Sequence, residues 1–271
     1  MTTRPAAAVR GRAELAGYRS LWAAVPGDLA ARHGVAALDV AGGACLAVAS
    51  QAGNPMLCHA VGVGVGHDVA DAELDRIAAF YAARGGRYQV SAAPGATGDL
   101  GERLLARGFR PSRPWMTFHR PAGEISGPDT ALRVVPVDAG SAPAFGAIVA
   151  AAFALPADLA WWIAAVVGAP GWTCLLALDG DVPVGAAGVV VDGDAAWFAL
   201  GATLAGHRGR GAQGALFAAR SRVALEAGAR HFMTETGAPA EGDRPGPSYR
   251  NMLRWGFREA ELRPNYASPA G

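Results

Sequence analysis

Arg208 and Arg210 lie among Gly209, Gly211 and Gly214 in the stretch Ala202-Thr-Leu-Ala-Gly-His-Arg-Gly-Arg-Gly-Ala-Gln-Gly-Ala-Leu216, where an apolar run that reads as a strand meets a run that reads as a helix. Such a turn leaves the first N–H groups of the helix without partners, at the positive end of its dipole, and so makes a site for an anion. Glycine at 209, 211 and 214 lets the backbone approach a pyrophosphate with no side chain in the way. The two guanidinium groups add charge-assisted contacts to phosphate oxygens. The same glycines match G-x-G-x-x-G, but that fingerprint belongs after the first strand of a parallel βαβ unit, with an acid about twenty residues on at a strand end. Here the loop follows antiparallel strands, and the nearest acid, Glu226, lies inside the helix. A tight turn that binds nothing is the remaining alternative.

The elements around the loop follow from turn chemistry and periodicity. Asp179-Gly-Asp181 and Asp192-Gly-Asp194 separate apolar runs at 172–178, 182–191 and 195–204, and Asp-Gly between such runs signals a hairpin because the primed turns need positive φ. The spacing predicts a helix over 212–227, with Leu216, Ala219, Val223 and Ala227 on one face and Gly228 as its stop. A strand over 231–236, a helix over 248–255 and a strand over 258–266 complete this half. A fainter copy precedes it: a helix near 13–24, strands around 36–49 and 56–65, a helix over 71–84, a strand over 87–92 and a helix ending at Gly108. Leu104-Leu-Ala-Arg-Gly-Phe109 and Met252-Leu-Arg-Trp-Gly-Phe257 end the two halves alike, each with a Gly suited to a left-handed helix cap before a Phe. The matching order of elements points to internal duplication. Residues 121–130, rich in Pro, Gly and polar side chains, read as the linker between a domain at 1–120 and one at 131–271.

Composition narrows the function classes. The 271 residues carry 24 Lys and Arg against 23 Asp and Glu, a net charge of +1. No basic excess is available to displace counterions from a nucleic acid. Three distant cysteines (Cys45, Cys58, Cys174) without a CxxC pair argue against a disulfide framework or a structural zinc site and for a reducing cytoplasm. The N-terminus has no secretory pattern. The nearly uncharged stretch 144–172 is broken by Pro156, Asp158 and Pro170 into pieces too short to span a membrane.

From Arg208 onward the chain resembles the GNAT superfamily of acyl-CoA N-acyltransferases, whose central motif runs R/Q-x-x-G-x-G/A after the fourth strand. Arg208 takes the first position and Gly211 the fourth; the sixth is Gln213 where the family has Gly or Ala. The resemblance covers about residues 131–262, and faintly the first half, as in tandem members. It implies a mixed α/β (α+β) fold of two tandem GNAT-like domains, each a mostly antiparallel twisted sheet flanked by helices. It further implies an acyl-CoA co-substrate, acetyl-CoA or another acyl-CoA, held by Ala202, Thr203, Arg208, Gly209, Arg210, Gly211, Ala212, Gln213, Gly214, Ser248 and Asn251, with no metal. In the first half, Gly66-His-Asp-Val-Ala-Asp-Ala-Glu73 replaces the loop, and Asp68, Asp71 and Glu73 would repel a pyrophosphate while favouring a helix N-terminus.

Aminolysis of a thioester needs a proton acceptor for the amine and a proton donor for the departing sulfur. In the family a carboxylate on the fourth or fifth strand often serves as base. The fourth strand, 197–203, has no acid, which leaves Glu235 as the candidate base, against a structural role. The family's usual tyrosine acid falls at Met252; Tyr249 is the substitute candidate, against packing. His207 reads as a loop residue before it reads as a base. Asp158, Trp161 and Trp162, with Phe153 and Trp172, are candidates for an acceptor pocket, against helix capping and core packing. Cys174 lies far in sequence from the loop, so direct transfer to a small-molecule or peptide amine is expected rather than a covalent enzyme. The contrasting function is a non-catalytic acyl-CoA sensor or interaction protein.

Overall fold

A computed structural model describes residues 7–92, 99–240 and 242–269. In chain order the elements are α1 (Ala7–Ala23), α2 (Gly27–His33), β1 (Val35–Val40), β2 (Gly43–Val48), β3 (Cys58–Val63), α3 (Asp71–Ala82), β4 (Gln89–Ala92), α4 (Leu100–Ala106), β5 (Arg110–Pro121) and β6 (Arg133–Pro136). There follow α5 (Ala142–Ala152), α6 (Ala160–Ala164), β7 (Trp172–Asp179), β8 (Val182–Asp192), β9 (Ala195–Thr203), α7 (Ala212–Glu226), β10 (His231–Gly237), α8 (Pro247–Arg254) and β11 (Arg258–Ala267). The order helix, helix, three strands, helix, strand, helix, strand therefore occurs twice, from α1 and again from α5. The fold is mixed α/β with a largely antiparallel sheet, as the sequence implies. Among the described residues no helix is long and apolar enough to cross a membrane.

The chain divides into two compact units that do not coincide with its halves. Among the described residues the N-terminal unit takes 7–117 together with Glu235–Tyr249 and the segment from Glu259 onward. Its strands run β1-β2-β3-β4-β11-β5, so the last strand of the chain is inserted between two strands of the first half. β11 is antiparallel to β4, with Asn265 opposite Ser91, and β3 is parallel to β4. The core behind these strands packs Ile77, Phe80 and Tyr81 of α3 against Val90 of β4 and Leu100 and Leu104 of α4. Tyr81 and Tyr88 stack with ring centroids 4.0 Å apart.

The C-terminal unit comprises Phe118–Thr234 and Arg250–Arg258. Its strands run β10-β9-β8-β7-β6, antiparallel except for β9 and β10. Gly180 and Gly193 take positive φ (59° and 58°) in the two hairpin turns, as the Asp-Gly signals require. Helix α7 lays Ala212, Leu216 and Ala219 on Leu175, Ala177, Val184 and Ala187. Its buried face departs from the apolar pattern: Arg220 and Ala224 are buried, whereas Val223 is half-buried and Ala227 is exposed.

Residues 122–130 form an irregular strap along α7. The Ile125 N–H donates to Ser221 Oγ (3.0 Å), and Ile125 is buried. A Cβ on Gly127 would lie 3.3 Å from that of Ala218.

Candidate functional site

Strand β9 runs out at Thr203, a short 3-10 turn spans Ala205–His207, and α7 begins at Ala212. Gly211 is the N-cap, with φ 89°, and gives the helix no side-chain cap. The first-turn N–H groups of α7 thus have no intrahelical acceptor and no capping side chain. Gly209 is also left-handed (φ 77°), and a Cβ there would meet nothing within 4 Å. Arg208 and Gly209 are exposed, and Arg208 has no side-chain partner among the described residues. A cationic, uncapped helix start of fifteen residues suits a pyrophosphate.

The neighbouring groups hold this loop in three ways. Thr130 at the end of the strap donates its hydroxyl to the Arg210 carbonyl (2.8 Å). Arg210 pairs with both oxygens of Asp179 at the β7–β8 turn, with Nη2 2.9 Å from Oδ1. His207 Nδ1 lies 3.3 Å from Arg210 Nη1 and 3.7 Å from Asp179. The Arg210 hydrogen bonds hold the Asp179 carboxyl below the usual carboxylate range. Asn251 of α8 donates to Gln213 Oε1 (2.6 Å), which fixes the first turn of α7. The guanidinium aimed outward is therefore that of Arg208, while that of Arg210 is engaged by a carboxylate.

Gly214 is a glycine for a different reason from the one its place in the motif implies. A Cβ there would lie 2.4 Å from Trp255 Cζ2 and 2.8 Å from Pro128 Cδ, so close packing of the strap and the end of α8 requires it. Gly211 combines both demands: its φ is left-handed, and a Cβ would meet Thr130 at 3.0 Å and Pro128 at 3.2 Å.

The remaining candidates are dispersed. Ala202 and Ala212 are buried, and Thr203 and Gln213 are half-buried beside the loop; Ser248 is exposed at the start of α8. Asp158 is exposed, Trp161 is half-buried and Trp162 is in the core. Trp172 packs edge-on to Trp197 with centroids 6.3 Å apart, and Phe153 is half-buried after α5. Burial pushes the Cys174 thiol up to about 12, so it is not a thiolate at neutral pH.

Glu235 belongs to the N-terminal unit, in a buried ionic cluster. Its Oε1 accepts from Tyr18 (2.8 Å), and Arg263 bridges it to Glu14 with one nitrogen on each carboxylate. Burial pushes the Glu235 carboxyl up, but the Arg263 charge and hydrogen bonds from Glu14, Tyr18 and Arg263 outweigh burial and hold it down. Burial, joined by the Glu235 charge, pushes the Glu14 carboxyl up against the lowering effect of Arg263. His59, whose ring meets Tyr18 edge-on at 5.0 Å, is pulled down to about 4, first by burial and then by Arg263. Tyr249 donates to Glu259 (2.6 Å); burial and that carboxylate push its phenol up.

In the first half, the first turn of α3 carries two carboxylates, Asp71 and Glu73, and no side-chain cap. Asp71 pairs with Arg103 (2.6 Å) and Arg107 (3.1 Å), and Glu73 accepts from the Ala41 N–H (3.2 Å). Among the described residues no group of three or more His, Cys, Asp or Glu could hold a metal ion.

No family model matches the chain, and no curated protein is significantly similar to it in sequence. Solved structures are similar in fold. A GCN5-related N-acetyltransferase from Kribbella flavida matches over 99% of this chain and 98% of its own, at TM-score 0.68 and 19% identity. A GCN5-related N-acetyltransferase from Sphaerobacter thermophilus matches over 85% and 82%, at TM-score 0.58 and 15% identity. A tandem GNAT protein from the clavulanic acid biosynthesis pathway matches over 84% and 80%, at TM-score 0.54 and 15% identity. The chain has a GNAT-like fold along nearly its whole length.

Proposed function

We propose that the chain is an N-acyltransferase that moves an acyl group, in the simplest case acetyl, from acyl-CoA to a primary amine of a small molecule or peptide. The observation that carries this reading is the uncapped start of α7 beside the exposed Arg208, on a fold shared with N-acetyltransferases. Arg208 and the backbone N–H groups of 209–214 would hold the pyrophosphate, with Ala202 and Thr203 on the strand leading to it and Ser248 and Asn251 from α8. Arg210 acts through its backbone, since its guanidinium serves Asp179.

In the reaction the amine nitrogen bonds to the acyl carbon and the carbon–sulfur bond breaks. One proton leaves the nitrogen and one reaches the sulfur. The buried, protonated Cys174 supports direct transfer without a covalent enzyme. Glu235 and Tyr249 remain the candidate base and acid. The engagement of both Glu235 oxygens, and the ion pair with Arg263, favour a second reading in which Glu235 is the structural anion of its cluster.

We read the repeated order of elements as a duplication, with residues 1–120 and 131–271 as its copies and the linker as the strap. The first copy would hold no pyrophosphate, because Asp68, Asp71 and Glu73 put negative charge at its helix start.

Titration calorimetry with CoA tests the site. Wild type should bind, and Gly211→Glu, which puts bulk and negative charge at the N-cap, should lose at least tenfold in affinity while staying folded. Equal affinities in the two would remove the assignment.

A further inference from the structure

Arg220 is the most deeply buried charged side chain of the C-terminal unit, at 2% exposure, and among the described residues no carboxylate pairs with it. Burying an unpaired charge is costly, so an arginine kept there must be held by dipoles. Its Nε donates to the Leu216 carbonyl (3.2 Å) within α7. Its Nη1 lies 3.4 Å from two more carbonyl oxygens, those of Gly188 on β8 and Ala199 on β9. The guanidinium carbon sits over two aromatic faces, 4.5 Å from the Phe217 centroid and 4.9 Å from that of Phe198. Burial pulls its pKa down to about 9, so it remains a cation at neutral pH.

The two carbonyls mark a particular place. Gly188 and Ala199 are the last regular pair of the β8–β9 ladder before its register breaks. Pairing resumes at Ala186 and Ala202, so Ala187 alone faces both Leu200 and Gly201, a β-bulge. Leu200 takes φ 53°, a left-handed conformation that a leucine adopts only when the surroundings impose it. A Cβ on Gly201 would lie 3.9 Å from both terminal nitrogens of Arg220, so the guanidinium lies directly against the bulge. Two residues further on, β9 enters the loop that carries Arg208.

We propose that Arg220 is a positioning residue for the CoA loop: it braces the β9 bulge, which delivers the strand into the loop, against α7, which leaves it. One cation thus fixes the spacing between the strand end and the helix N-terminus that together present the anion site. The brace reaches the ligand only through backbone, and this inference rests on the acyl-CoA reading of the loop.

The test uses Arg220→Met and Arg220→Lys in the full chain. Replacing a buried charge by an apolar side chain of similar length is often neutral for stability, so Arg220→Met should keep its thermal midpoint within a few degrees of wild type. Its CoA affinity by calorimetry should fall at least tenfold. Arg220→Lys, which keeps the charge but cannot lie flat between two rings, should recover part of that loss. Hydrogen exchange read by mass spectrometry supplies a measurement independent of CoA. Amides at 200–204 and 209–214 should exchange faster in Arg220→Met than in wild type, with the β1–β3 segment unchanged. Unaltered exchange at 200–214 overturns the brace, as does wild-type CoA affinity in Arg220→Met. Wild type that fails to bind CoA would sink the acyl-CoA reading alone, leaving the exchange result to decide the brace. Should Arg220→Met fail to fold, Arg220→Lys carries both readouts.

Discussion

Gly214→Ala separates two reasons for a glycine in the loop motif. If Gly214 serves only phosphate approach, alanine in the first turn of α7 should stabilise the helix, because Ala exceeds Gly by about 0.8–1 kcal/mol in helix propensity. The packing predicts the opposite. The new Cβ would lie 2.4 Å from Trp255 Cζ2, 2.8 Å from Pro128 Cδ and 3.1 Å from Pro128 Cγ, so both rings would have to shift. Overpacking of one carbon costs about 1–3 kcal/mol. Two contacts closer than 3 Å place this site at the upper end, so after the propensity gain about 2 kcal/mol of destabilisation remains. For a chain of this size that corresponds to a drop in thermal midpoint of about 4–8 °C, measurable by scanning calorimetry. In a Trp255→Leu background the nearest clash disappears, and the effect of Gly214→Ala should shrink by at least about 1 kcal/mol, the coupling expected of residues in contact. A rise in midpoint for Gly214→Ala in the wild-type background would refute the reasoning, and so would full additivity with Trp255→Leu.

Three further outcomes follow from the ionic cluster and the two helix starts. Glu235→Gln distinguishes base from structural anion: a base role predicts kcat lower by about 10²–10⁴ with recovery at high pH, whereas the structural role predicts a lower thermal midpoint and an unchanged pH profile of activity. Glu14 should make the protein less stable as pH rises, because its folded value of about 8 exceeds the unfolded 4.5, so the folded state holds the extra proton between those limits. Its contribution is fully present below about 4.5 and is lost by about 8, whereas that of Glu235, whose value is lowered, is lost only on acidification. His59, lowered from 6.5 to about 4, contributes with the opposite sign to Glu14, so the comparison is between wild type and Glu14→Gln. Denaturant titrations at pH 5.5 and 8 should show the variant gaining on wild type at the higher pH, and parallel behaviour would contradict the assignment. Native mass spectrometry at saturating CoA should show one CoA per chain, since the carboxylates of Asp68, Asp71 and Glu73 at the α3 start repel a second pyrophosphate; two per chain would contradict it.

What the sequence made legible was local. The Asp-Gly turns, the glycine stops at Gly108 and Gly256, both left-handed here, and the strand–loop–helix around Arg208 are each written in a few adjacent residues. Helix α2, seven residues with no buried side chain, carries no apolar period to read. The insertion of β11 between β4 and β5 depends on pairing between residues some 175 positions apart, for which short motifs hold no signal. Glu14 and Tyr18, one turn apart on α1, meet Glu235 of β10 and Arg263 of β11 from three distant stretches of sequence, so Glu235 reads as a lone carboxylate at a strand end. Arg220 was hidden because a charged residue on a helix reads as a solvent-facing one. Residues 121–130 read as a linker on composition, although Thr130 bonds the Arg210 carbonyl and Pro128 packs beside Gly211 and Gly214. Their alignment with α7 has no periodic signature.

The central claim is acyl transfer at the loop that starts α7. Thiol release from acetyl-CoA, followed with a disulfide reagent across a panel of primary amines, addresses it most directly. Release should depend on at least one amine, with matching N-acetyl product by mass spectrometry, and both should be lost in Gly211→Glu. CoA binding without thiol release for any amine would contradict an enzyme and leave a sensor. Amine-dependent release that survives Gly211→Glu would contradict the site.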